Sequence, residues 1–318
     1  MSFEFEKVTF TEPNFTVHVK KNFGSDFAFY ILSGNKRIAA KSYTKKTYSD
    51  LEVKLEKNKV YCLKLFNRPE CENTVLESDK VIIKRFFYLD KYGRVFVVNE
   101  EILYEEEKLK ITEFNQESNI TFVTFNSAQT DKTTSPFGAE FILSNGWNLI
   151  ALHKHDKNQY QDLSLELFEK VVKDKTIGKK VFVYGTSLGG YCACYFGGIL
   201  DATIIAGAPM LPVHPIMNHP DYKDVEYKHV PIYNVPKTTK PVFLIYDPLE
   251  TGDIRFMKET ILKAYPLPYF IPVKGGTHLV MQTLLNNGLL KSTVMDLMNN
   301  NYIDVINRII THKDWVKI

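Results

Sequence analysis

Lys180-Val181-Phe182-Val183-Tyr184-Gly185-Thr186-Ser187-Leu188-Gly189-Gly190-Tyr191-Cys192-Ala193-Cys194-Tyr195-Phe196 decides how this chain is read. An apolar, β-branched and aromatic run predicts a buried strand, and the run after the glycines predicts a helix. Between them stands G-x-S-x-G, the pattern of a tight strand-to-helix turn that lifts a serine hydroxyl off the top of a sheet. Glycine is required on both sides because a Cβ there would collide with the strand or the helix. Gly197-Gly198 repeats the signal at the far end of the helix, where close packing on a sheet excludes side chains.

Outward from the turn, strand-like runs at 120–125, 147–152, 180–184, 202–205, 241–246 and 269–273 alternate with helix-like runs near 163–174, 188–200, 254–264 and 278–312. Alternation with continuous apolar strands predicts a mostly parallel sheet covered by helices on both faces. Its ligands belong at the carboxyl ends of the strands. Towards the N-terminus the pattern changes. Phe15–Val19, Phe27–Leu32, Val60–Phe66 and Val81–Phe87 are short β runs separated by Gly24-Ser25-Asp26, Ser33-Gly34-Asn35 and Asn67-Arg68-Pro69. They predict a small all-β sandwich of immunoglobulin-like type. The acidic segment from Asn99 to Ser118 marks the junction, giving a β domain over 1–105 and an α/β domain over 106–318; its other reading is an extra strand and loop of one continuous fold. Pro212, Pro215, Pro220, Pro231, Pro236 and Pro241 make 211–240 a long irregular excursion, a length usually tied to function.

The composition sets limits. Of 318 residues, 44% are hydrophobic and 24% charged, with a net charge of +3. Lysines alternate with glutamates rather than forming a basic tract, which argues against a nucleic-acid partner. No apolar run approaches the roughly 18 residues of a membrane span. The first residues, Met1 to Lys7, lack the basic and apolar regions of a signal peptide. Four cysteines in a chain of this length do not make a disulfide framework. Cys192 and Cys194 read as small buried residues, Cys62 lies in a strand and Cys71 near a loop. A reduced, cytoplasmic setting is expected; oligomeric state is left open.

A serine hydroxyl is a weak nucleophile and needs a base held by an acid. His278, in Gly275-Gly276-Thr277-His278, follows the last core strand and is the candidate base. Its imidazole predicts activity that rises with pH near about 6.5. The acid comes from Asp247-Pro248-Leu249-Glu250-Thr251-Gly252-Asp253. Asp247 leaves the strand end directly and is preferred; Asp253 is the alternative, with an N-cap as its other reading, and Glu250 stands between them. Oxyanion donors are expected from the backbone N–H of Leu188 and, from the loop after the first core strand, of Ala128. His153-Lys154-His155-Asp156 lacks the spacing of a binuclear metal cluster, so no metal is assigned. His155, Gln159 and Tyr160 border the expected cleft as substrate contacts.

Residues 119–318 resemble the α/β-hydrolase superfamily, on Gly185–Gly190, the strand-end acid and Gly276-Thr277-His278. Ser187-Leu188-Gly189-Gly190-Tyr191, Tyr246-Asp247-Pro248 and Gln159-Tyr160-Gln161-Asp162-Leu163-Ser164 look more narrowly like bacterial O-acetyltransferases of capsule and of accessory-secretion glycans. That resemblance implies a carbohydrate substrate, an acyl-serine intermediate and an N-terminal accessory module that helps bind glycans or partners. It implies no permanently bound cofactor; acetyl-CoA enters as acyl donor if the reaction is transfer rather than ester hydrolysis. The competing reading is a non-catalytic glycan-binding or assembly protein on the same fold. A lipase is disfavoured by the polar excursion, and a prolyl peptidase by the absence of a propeller.

Overall fold

The computed structural model describes residues 3–21, 24–34, 36–68 and 81–312. Asn35, Pro69 and Cys71 lie outside the described residues. The described residues form two compact units, one running to Glu100 with Leu143–Gly146 added, the other comprising Glu101–Ile142 and the chain from Trp147.

The first unit is built from β1 (Glu4–Thr11), β2 (Asn14–Lys20), β3 (Asp26–Ser33), β4 (Lys36–Thr44), β5 (Tyr48–Glu52), β6 (Val60–Arg68), β7 (Val81–Leu89) and β8 (Val95–Val97). They make a three-stranded sheet β1-β2-β5 and a five-stranded sheet β4-β3-β6-β7-β8, and the strand pairs are antiparallel. Period-two alternation sends Phe15, Val17 and Val19 of one sheet against Phe29, Ile31, Tyr61, Leu63, Leu65 and Phe87 of the other. Phe15 and Phe87 meet with ring centroids 4.9 Å apart. The outer face of β6 is less polar than alternation implies, because Phe66 packs on Tyr30 at 4.6 Å.

The second sheet has eight strands in the order β16-β15-β14-β13-β11-β12-β10-β9. In chain order its elements are β9 (Asn99–Glu105), β10 (Leu109–Asn115), β11 (Ile120–Phe125), α1 (Ala139–Ser144), β12 (Asn148–Lys154), α2 (Leu165–Thr176), β13 (Lys180–Thr186) and α3 (Leu188–Phe196). Then come β14 (Thr203–Gly207), β15 (Val242–Tyr246), α4 (Thr251–Glu259), α5 (Ile261–Ala264), β16 (Tyr269–Pro272), α6 (Val280–Asn286), α7 (Leu290–Met298) and α8 (Tyr302–Thr311). β12, β11, β13, β14, β15 and β16 are parallel, and β10 is antiparallel to β12. This is an α/β-hydrolase-type sheet preceded by an all-β region, as the sequence predicts.

The acidic segment expected to be a junction therefore supplies β9 and β10. Strand is the second reading of this segment; Glu113, only 3% exposed, pairs with Lys175 at 3.2 Å, and this buried charge weakens the apolar pattern that would have favoured it. The single helix expected over 278–312 is three helices, because Gly288 (φ 68°) and Asn300 (φ 60°) adopt left-handed backbone that ends a helix.

Val123, Phe125, Ile150, Leu152, Val183, Ile204, Ala206 and Leu244 line one sheet face together with α2 and α3. Phe125 stacks on Phe168 of α2 and Phe196 of α3 at 6.0 and 5.4 Å, each such pair worth about 0.5–1.5 kcal/mol beyond burial. On the sheet, α6, α7 and α8 pack against β15, β14 and β16. β12 and β13 lie on opposite sides of β11, so the chain reverses its direction of winding there. The crevice beyond the carboxyl ends of β11 and β13 is the switch point at which such sheets bind ligands.

Candidate active site

β13 delivers Ser187 to that crevice. Its backbone sits at φ 54°, ψ −120°, a conformation that costs an L-residue of order 1–3 kcal/mol. Three backbone hydrogen bonds hold it there. Ser187 N–H donates to Gly207 O at 2.8 Å, and Ser187 O accepts from Tyr191 and Met210 N–H at 2.9 and 3.1 Å. A Cβ on Gly185 would overlap the backbone of Gly189, and one on Gly189 would overlap the carbonyl of Phe125. The glycines thus bring the start of α3 against the end of β11.

His278 lies in a tight turn, Thr277–Leu279, after β16. Its Nε2 is 2.8 Å from Ser187 Oγ. Its Nδ1 is 2.8 and 3.0 Å from the two carboxylate oxygens of Asp253. The arrangement fits a proton on Nδ1 donated to Asp253, leaving Nε2 to accept from the serine hydroxyl. The hydrogen bond to Asp253 raises the imidazole above its ordinary value; burial opposes it, and the charges of Asp253 and Glu250 add to the rise. Asp253 is 1% exposed and occupies the first turn of α4, where the helix dipole favours a carboxylate. The N-cap of α4 is Glu250, without a side-chain cap bond.

Asp247, preferred as the acid from sequence, does not face the imidazole. Its Oδ1 accepts from Leu249 N–H at 2.9 Å and its Oδ2 from Thr277 N–H at 2.8 Å. A carboxylate at a strand end readily closes an Asx turn on the residue two ahead. Here its second oxygen then ties the end of β15 to the histidine turn. Asp253, six residues further on in the first turn of α4, is the group that reaches the ring.

Leu188 is the first residue of α3 and its side chain is fully buried, which leaves its N–H among the unpaired donors of the helix start. Ala128 is half-buried in the loop beyond β11, beside the core. Tyr160 is a correction. It is fully buried, and its hydroxyl accepts from Asn126 N–H at 2.8 Å and donates to Leu152 O at 2.8 Å. It braces the exit of β11 and cannot touch a ligand in the crevice. His155 is exposed, and among the described residues no polar contact joins it to Ser187, His278 or Asp253.

Sequence reasoning missed the polar residues that hold the loop after β11. Asn126 Oδ1 accepts from Phe137 N–H at 2.7 Å, and its amide reaches Ser135 O at 3.2 Å. Lys154 is fully buried and donates to the carbonyls of Ala128 and Thr130. Its signal was available: a lysine continuing the inward face of Ile150 and Leu152. The excursion after β14 is pinned by the same neighbourhood. Gln159 Oε1 accepts from Val213 N–H and Gln161 Oε1 from Lys228 N–H, each at 2.9 Å. Cys192 and Cys194 are buried free thiols, pushed up by burial, and the Cys62 thiol is pushed up to about 11.

The chain matches no protein-family model and no curated protein by sequence. Among solved structures it is similar to the capsule O-acetyltransferase of Neisseria meningitidis serogroup A. The identity is 11% and the TM-score 0.47, over 71% of this chain and 98% of that one. A mutant of the same enzyme in complex with CoA aligns at 11% identity and TM-score 0.45, over 61% of this chain and 93% of that one. Acetyl xylan esterase 1 from Thermoanaerobacterium sp. JW/SL YS485 aligns at 9% identity and TM-score 0.37, over 63% and 78%. The strand order and the parallel crossovers define the fold independently of these likenesses. Among the described residues no helix is long and apolar enough to cross a membrane.

Proposed function

We propose that this chain is a serine-dependent acyl-ester enzyme acting on a carbohydrate, an O-acetyltransferase or a carbohydrate esterase, with Ser187 as nucleophile, His278 as base and Asp253 as the acid that orients it. The observation that carries the reading is the unbroken chain from Ser187 Oγ through His278 Nε2 and Nδ1 to the Asp253 carboxylate. As Oγ attacks the acyl carbon, its proton passes to Nε2, and the imidazolium is stabilised by the carboxylate. Negative charge collects on the former carbonyl oxygen, where the N–H groups of Leu188 and Ala128 receive it. The imidazolium then protonates the leaving group, and an acyl-Ser187 remains. In the second half His278 takes a proton from water or from a sugar hydroxyl, which attacks the acyl group and restores the serine.

The carbohydrate part of the reading is supported by the motif resemblance of Ser187–Tyr191 and Gln159–Ser164, and acetyl-CoA is the donor it suggests. On this reading 1–105 serves as an accessory module and 106–318 as the catalytic domain. The test is brief exposure to a phosphonate ester and, separately, to acetyl-CoA, with intact-mass measurement. Phosphonate on wild type and none on Ser187→Ala is expected. An acetyl adduct on Ser187 marks the transferase; ester turnover without it marks the esterase. A wild-type chain inert to both reagents and to chromogenic esters would make it a binding protein on a hydrolase fold.

A further inference from the structure

Resting on the reading of Ser187 as nucleophile, we propose that Lys154 and Thr130 are positioning residues that aim the Ala128 N–H at the oxyanion. Three observations carry this. First, Thr130 Oγ1 donates to Ser127 O at 2.7 Å. That carbonyl belongs to the same planar peptide as the Ala128 N–H, so fixing one end directs the other to the opposite side. Second, the Lys154 ammonium holds the next carbonyls, Ala128 O at 2.8 Å and Thr130 O at 2.7 Å. Third, among the described residues no acceptor takes the Ala128 N–H. The turn is thus held through its carbonyls, while this N–H, like those of Ser127, Gln129 and Thr130, has no acceptor among the described residues; of these, only the Ala128 N–H shares its peptide with the carbonyl that Thr130 fixes.

The root of the turn is fixed as well. Asn126 N–H donates both to Leu152 O at 3.3 Å and to the Tyr160 hydroxyl at 2.8 Å, and that hydroxyl donates to Leu152 O at 2.8 Å. This three-way cluster braces the exit of β11 just where α3 abuts Phe125 O. A fully buried ammonium is costly unless its donors are met, and here the loop takes two of its hydrogen bonds. The charge also reaches α3: burial pushes the Cys192 thiol up, and the Lys154 ammonium opposes that push. A donor held this way needs no reorganisation when charge develops, which is what makes such donors effective.

The test is the rate of phosphonylation of Ser187 by ethyl p-nitrophenyl methylphosphonate, followed across pH on wild type, Lys154→Met and Thr130→Val. Losing a whole oxyanion donor costs about 10²–10³-fold, so losing its aim is expected to slow the limiting rate at least about 10-fold in each variant. The pKa of the rise with pH should not move, because His278 and Asp253 are untouched, and KM for p-nitrophenyl acetate should stay within about twofold. A merely structural role would reduce the fraction of serine labelled at completion and leave the rate per labelled site unchanged. Rates per site within about twofold of wild type, or a slowed rate accompanied by a shifted pKa, would overturn the proposal. Should Lys154→Met fail to fold, Thr130→Val decides, since it exchanges one hydroxyl for a methyl on a half-buried turn. Wild type that does not react, or label that persists in Ser187→Ala, would instead refute the role of Ser187 and with it this inference.

Discussion

Replacing Asp253 and Asp247 by asparagine, one at a time, separates the orienting acid from the carboxylate that merely braces its loop. The Asp253 carboxylate meets His278 Nδ1 at 2.8 and 3.0 Å. An asparagine there can turn its NH2 to Nδ1, which favours the tautomer with the proton on Nε2. The nitrogen facing Ser187 then has no lone pair to accept with. Loss of the correct tautomer costs about 10⁴-fold in kcat, or about 5 kcal/mol of transition-state stabilisation. The pH profile should change too. In wild type the Asp253 hydrogen bond raises the imidazole, so activity climbs with pH through a midpoint above the ordinary value of about 6.5. Asparagine removes that lift and leaves the opposing effect of burial, so the midpoint should fall. Asp247→Asn keeps one acceptor oxygen for Leu249 or Thr277 and loses the other bond, about 1–3 kcal/mol of stability. Its effect on rate comes through displacement of the His278 turn, where a shift of about 1 Å costs up to about 10²-fold, and its midpoint should stay raised. The assay is kcat/KM for p-nitrophenyl acetate over about pH 5–9, with thermal unfolding of each variant. Equal losses in the two variants, or an Asp253→Asn midpoint as high as wild type, would refute the assignment.

The same imidazole links activity to stability with opposite sign. A raised His278 contributes stability that is present below about pH 6.5 and is lost as pH rises through its folded pKa, so His278→Gln should be more destabilised relative to wild type at low than at high pH, as guanidinium melts would show. His229 behaves the other way. It is 6% exposed, stacked on Tyr195 at 4.3 Å, and pushed down by burial to about 4. Between about pH 6.5 and 4 the unfolded chain takes up a proton that the folded chain refuses, so His229→Phe should lose roughly 2–3 kcal/mol less stability than wild type on going from about pH 7 to 4.5; identical losses would show that another group controls the acid limb.

What was legible in the sequence was what repeats or what is sterically forced. The parallel strands announced themselves because burial on both faces requires unbroken apolar runs, and the elbow because Gly185 and Gly189 tolerate no Cβ. β10 was legible only as the second reading of the acidic segment, because Glu113 is buried and paired with Lys175, and an ion pair formed across elements leaves no periodic trace. That Asp253 rather than Asp247 lies on the imidazole was hidden for a related reason. Asp247 and Asp253 are both nearly inaccessible, at 2% and 1%, and both stand at the correct end of the sheet. What distinguishes them is where local hydrogen bonds leave spare acceptor capacity. Asp247 is consumed by an Asx turn and by Thr277 N–H, whereas the dipole of α4 only favours a carboxylate at Asp253 and leaves its oxygens for the ring. The same accounting inverts Tyr160, which looked like a cleft residue until its hydroxyl proved to be spent on Asn126 and Leu152. Around this site Tyr160, Asn126, Lys154 and Asp247 spend hydrogen bonds on the surrounding backbone, whereas Ser187 Oγ, the imidazole and the Asp253 carboxylate are bonded to one another. A hydroxyl, a base and a carboxylate bonded to each other rather than to the scaffold are what acyl transfer requires, which is why the partners of these side chains, rather than the identity of any one residue, argue for chemistry at this end of the sheet.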